Sequence, residues 1–129
     1  MATFEDVRQI ALALPETTEA ISRENRHWRV KDKGVVWERP LRRGDLEALG
    51  ASAPDGPILG VRVEHLGAKE ALLAGDPDVY FTTPHFDGYP AVLVQLDRIG
   101  PDELQEVIVE AWLVRAPKRL ADAYLSEAS

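Results

Sequence analysis

The sequence predicts an α+β domain with a mostly antiparallel sheet and N- and C-terminal helices packed on one of its faces. Three observations carry that prediction. Apolar residues repeat at helical spacing at both ends of the chain, short β-branched and aromatic runs fill the middle, and hairpin turns link most of those runs. The 129 residues suffice for one domain spanning 1–129 with a proper core, and no internal repeat or low-complexity segment divides them.

Each element has its own justification. Thr3 stands as N-cap to a helix whose Phe4, Val7, Ile10, Ala11 and Leu14 share one stripe. Pro15 closes that helix, because proline disfavours helical geometry in the residue before it. Thr17 to Ser22 reads as a first strand. His27 to Val30 and Val35 to Glu38 read as two more around an Asp32-Lys33-Gly34 turn, with Trp28 and Val30 on one face and His27 and Arg29 on the other. Asp45 is placed as the cap of a short helix through Leu49, which Gly50 ends. After a loop over Ala51 to Pro57, Ile58 to Val63 is a strand and Ala68 to Ala74 a helix. Val79 to Thr83 and Ala91 to Leu96 form a long-looped antiparallel hairpin. Pro101 opens the last long helix, where its missing N–H costs little. Leu104, Val107, Ile108, Ala111 and Trp112 form its apolar stripe, while Asp102, Glu103, Glu106 and Glu110 are expected to face water. Pro117 starts a final turn or two through Leu125. The sheet face away from the terminal helices is expected to be open to solvent or a partner.

Composition excludes several chemistries. With no cysteine, disulfides, thiolate catalysis and Cys-based zinc sites are ruled out. His27, His65 and His85 lack a metal-ligand spacing, no Gly-x-Ser-x-Gly elbow occurs, and no glycine-rich phosphate loop is present. Neither a catalytic set nor a cofactor or metal is therefore expected. Apolar runs fall far short of the roughly 20 residues that span a membrane, and the first residues read as a helix start rather than a leader. The expectation is a cytoplasmic protein without membrane contact.

Charge is distributed unevenly. The net charge is −7, yet residues 23–43 carry eight basic and three acidic side chains. Arg26, Arg29, Lys31, Lys33, Arg42 and Arg43, on or beside the predicted hairpin, are candidate phosphate contacts, and Trp28 and Trp37 lie among them. A solvated hairpin paired with acidic neighbours explains the same residues. The second candidate region is Phe81 to Leu96, an aromatic, proline-bracketed loop running into a strand. There His85, Asp87 and Tyr89 offer a base or anion contact and its partners. Asp87-Gly88 is also a turn signature, which accounts for the loop without any ligand.

Three stretches carry a resemblance to a known family. They are Ala13-Leu14-Pro15-Glu16-Thr17-Thr18-Glu19, Pro84-His85-Phe86-Asp87-Gly88-Tyr89-Pro90 leading into Ala91 to Leu96, and Ala111-Trp112 with Ala116-Pro117-Lys118-Arg119-Leu120. Together they resemble the MmcQ/YjbR family over nearly the whole chain. The resemblance implies a CyaY-like fold with helices packed on an antiparallel sheet, and a DNA-binding label based on a double-wing architecture. It implies no catalytic residues. The expected function is DNA binding through the basic hairpin; the alternative is a module that binds a small anionic ligand or a protein partner near the His85 loop.

Overall fold

A computed structural model describes residues 2–128. They run α1 (Phe4–Ala13), β1 (Thr17–Ser22), β2 (Asn25–Val30), β3 (Lys33–Glu38), α2 (Arg43–Leu49), β4 (Ile58–Arg62), α3 (Leu66–Gly75), β5 (Tyr80–Phe81), β6 (Ala91–Gln95), α4 (Pro101–Arg115) and α5 (Lys118–Ala128). The six strands make one antiparallel sheet in the order β1-β2-β3-β4-β6-β5. The connection through α3 carries the chain to the far edge, and β6 returns between β5 and β4. This is the α+β arrangement the sequence predicts.

The two terminal helical regions do share one face. Val7 and Ala11 of α1 and the predicted stripe of α4 are buried against Trp28, Val30, Val36, Leu59, Val61, Val92 and Val94. Burying a side chain of this size stabilises by roughly 1.5–3 kcal/mol. Trp28 and Trp112 are 0% exposed, so their indole N–H groups need acceptors. Trp28 Nε1 donates to Glu19 Oε1 at 2.9 Å and Trp112 Nε1 to the Pro15 carbonyl at 3.1 Å. Tyr124 of α5 packs against Trp112 at a tilt of 57°, with ring centroids 5.2 Å apart. At the start of α1, Thr3 Oγ1 accepts from the Asp6 N–H while the Asp6 carboxylate accepts from the Thr3 N–H, a reciprocal cap.

The opposite face is only half open. Ile58, Phe86, Ala91 and Leu93 form a second, smaller cluster with Trp37, Leu41 and Phe81 beside it. The loop after β5 therefore folds back over β4 and β6, while the β1–β2–β3 part stays half-exposed.

The final helix, α5, runs eleven residues where the sequence predicts a turn or two, and local geometry departs from expectation in three further places. The β2–β3 turn is Lys31-Asp32, not Asp32-Lys33-Gly34, and both central residues are left-handed, with φ of 49° and 66°. Arg23 and Glu24 turn the β1–β2 hairpin the same way, with φ of 51° and 70°. Two left-handed residues match the right-handed twist of the strands they join. The displaced residue is absorbed by a bulge, where the register shifts between Trp28 and Arg29 and consecutive Val35 and Val36 both enter the main core. Secondly, Asp45 sits inside α2 rather than ahead of it, its Oδ2 accepting the Arg42 N–H at 2.8 Å. Lastly, β5 is cut to two residues because the chain turns at Thr82 towards the Pro84–Phe86 3-10 turn.

Candidate functional site

The half-open face is built around Trp37. Pairing sets His27 directly across from Trp37 on β2, and Gly60 directly across on β4. The indole lies over Gly60 so closely that a Cβ there would sit 2.3 Å from it. Glycine is required at this position for the ring to approach the strand. Arg29 shares the face, and its charge after burial lowers the His27 pKa below the usual histidine value. An aromatic plane, an imidazole and a guanidinium thus share one surface.

The six basic candidates divide into two groups. Arg26 turns to the helix-covered side, where Glu38 Oε2 accepts from its Nε and NH2, both at 2.9 Å, and its guanidinium lies over Phe4 and Trp28. Lys31 pairs with Glu16, and Arg43 with Glu47 at 3.1 Å. Arg29, Lys33 and Arg42 have no ion-pair partner among the described residues. Arg29 and Lys33 stand near the β2–β3 turn, whereas Arg42 lies beyond the other end of β3, one strand of roughly 17 Å away. The basic segment is therefore not one continuous patch.

The aromatic loop is held from below by buried charge. Lys69 of α3 is 6% exposed, and its Nζ donates to the Phe86 carbonyl at 2.6 Å and the Tyr89 carbonyl at 2.9 Å. Burial lowers its pKa and the Asp87 carboxylate opposes that shift. On the other side of Phe86 lies the Arg39–Asp45 pair, 3.0 Å apart, with the Arg39 guanidinium 5.2 Å from the Phe86 ring centroid. Burial pushes the Asp45 carboxyl up, but the Arg42 N–H and the Arg39 charge outweigh it and hold the pKa below the usual range.

His85, Asp87 and Tyr89 are all exposed and point to different neighbours. His85 lines a cleft of about 280 Å³ with Arg39, Arg42 and Asp45. Asp87 acts on Lys69, and the Tyr89 ring lies 5.5 Å from the Arg62 guanidinium. The loop does not gather them into one catalytic constellation.

Sequence reasoning missed the side chains that seat this loop. Lys69 stands beside Ala68 and three residues before Leu72, both packed against the core, and that inward side of α3 was the available signal. Glu103, expected to face water, accepts the Tyr80 hydroxyl, and burial followed by this carboxylate raises the Tyr80 pKa. That pair spans 23 residues and has no local signature.

Comparison with known proteins fixes the kinship. An uncharacterized protein of Mycobacterium tuberculosis strain H37Rv is 54% identical over 129 residues, covering 98% of each chain, and an uncharacterized protein of Mycobacterium bovis matches equally. In fold the chain is similar to a Deinococcus radiodurans protein with a DUF419 domain, solved by crystallography. The TM-score is 0.68 at 20% identity, over 98% of this chain and 88% of that one. Among the described residues no helix is long and apolar enough to cross a membrane. The YjbR family profile matches residues 12–114, which agrees with the landmarks around Pro15, the Pro84–Pro90 loop and Trp112, and the chain belongs to the YjbR family.

Proposed function

We propose that this protein binds single-stranded DNA or RNA on the half-open sheet face, without catalysing a reaction on it. The observation that carries the reading is Trp37, laid over Gly60 beside His27 and Arg29. Aromatic rings on a sheet offer stacking planes to unpaired bases, and stacking tolerates any base. Arg29 and Arg42 supply the phosphate contacts, being members of the basic segment without an ion pair among the described residues, whereas Lys33 stands opposite Val30 and so leaves β3 on the covered face. The net charge of −7 opposes long-range attraction, so binding is weak and contact-limited.

Fluorescence anisotropy with labelled single- and double-stranded DNA across a salt series tests this. Two phosphate contacts give a slope of log affinity against log salt of about −1.4 for a single strand. Trp37→Ala costs about 1–3 kcal/mol of binding. Gly60→Ala, which displaces the indole without changing charge, weakens binding in the same direction. Arg29→Glu with Arg42→Glu abolishes it, while Lys31→Ala changes it little. Absence of binding at the lowest salt overturns the proposal.

A second reading, a small-anion site at the loop, is favoured by the shared cleft of Arg42 and His85. It predicts that inorganic phosphate shifts the His85 imidazole resonances at salt levels where no DNA binds.

A further inference from the structure

We infer that nucleic-acid binding on the sheet face is coupled to protonation of His27, an inference that rests on the reading proposed above. The bound nucleic acid holds the imidazole charged, and affinity rises as pH falls. Strand pairing sets Ala20, His27, Trp37 and Gly60 in one row across β1, β2, β3 and β4. Residues directly across from one another on paired strands share a face. His27 thus lies between a methyl group and the indole that stacks a base. Arg29, two residues along β2, is on the same face. A nucleotide with its base on Trp37 and its phosphate against Arg29 lies along the imidazole.

The protein does not itself occupy that imidazole. The side chain is half-buried, and neither ring nitrogen has a hydrogen-bond or ion-pair partner among the described residues. Burial and then the Arg29 charge lower the His27 pKa from the usual histidine value, and the Glu38 carboxylate opposes them. The imidazole of the free protein is therefore neutral at neutral pH. Glu38 is itself held by Arg26 on the covered side. The remaining charged side chains of the neighbouring strands also turn to that side: Glu19 of β1 accepts from Trp28, and Lys33 of β3 stands opposite Val30. Arg8 of α1 reaches Glu19 there. A phosphate beside His27 reverses the balance, because an opposite charge favours the imidazolium, which donates from both nitrogens.

The test is anisotropy titration of oligothymidylate with the unmodified full-length protein. It runs from about pH 8 to about pH 5.5, a range in which histidine changes charge and thymine does not. Affinity rises about tenfold as pH falls, the equivalent of a pKa raised by about one unit on binding. The salt slope steepens by about 0.7, the increment for one more contact to a single strand. His27→Gln removes the rise, and His27→Arg gives the high affinity at both ends of the range. His85→Gln, which removes the imidazole sharing a cleft with Arg42, keeps the rise. In the unmodified protein, oligothymidylate moves the midpoint of the His27 ring titration upward by NMR, a readout independent of how any variant folds. Affinity that ignores pH, a rise that persists in His27→Gln, or an unmoved His27 midpoint overturns the coupling and leaves the sheet-face reading standing. Absence of binding at both ends of the range overturns both.

Discussion

The two faces of the sheet are sealed by different chemistry. Beneath α1 and α4 the contact is apolar, with Trp28 and Trp112 giving their single N–H donors to Glu19 and Pro15. On the other face a small apolar cluster is flanked by a buried ion pair and a buried lysine, and much of the surface remains uncovered. The first arrangement draws its stability from area removed from water, which is non-directional. The second depends on charges meeting particular acceptors, so it positions a loop more than it stabilises a fold.

That contrast can be broken, and the largest effect lies on the covered face. Trp28→Ala opens a void in the main core and leaves Glu19 without its donor; thermal or denaturant unfolding shows a loss of about 3–5 kcal/mol. Next comes Asp45→Ala, which leaves Arg39 buried without its carboxylate and costs about 3 kcal/mol. Combining Asp45→Leu with Arg39→Met recovers most of that loss, a recovery expected only if the pair positions rather than stabilises. Lys69→Met keeps the stem and removes the ammonium from two carbonyls, at about 1–3 kcal/mol, and hydrogen exchange rises first in residues 84–90.

The smallest effect is pH dependence at His27. Its folded pKa is lowered by burial and by Arg29, so the unfolded chain takes up the proton more readily. The stabilisation is present above the ordinary value of 6.5 and is lost as pH falls through that value towards the folded one. His27→Gln flattens this part of the stability profile, and an unchanged slope in that variant excludes His27 as its source.

The same contrast explains what was legible in the chain. The covered face is written in local periodicity: alternation in β2 separates Trp28 from His27, and the α4 stripe is entirely buried. The other face is assembled from residues far apart, such as Lys69 with Phe86 and Tyr89, or Arg39 with Phe86. No short-range pattern encodes such meetings. The basic segment illustrates the limit: its charge excess is plain in composition, yet pairing of Arg26 with Glu38 and Lys31 with Glu16 is a product of tertiary structure.

The left-handed residues at the two hairpin tips have an engineering consequence. Arg23, Glu24, Lys31 and Asp32 hold a conformation that costs an L-residue other than glycine about 1–2 kcal/mol. Replacing either tip with Asn-Gly relieves that cost in the geometry already adopted. The meander thus contains an unspent reserve of thermal tolerance at its two hairpin tips. A hardened scaffold can therefore be made first, and destabilising substitutions at Trp37 or Lys69 then introduced without unfolding the protein that must report on them.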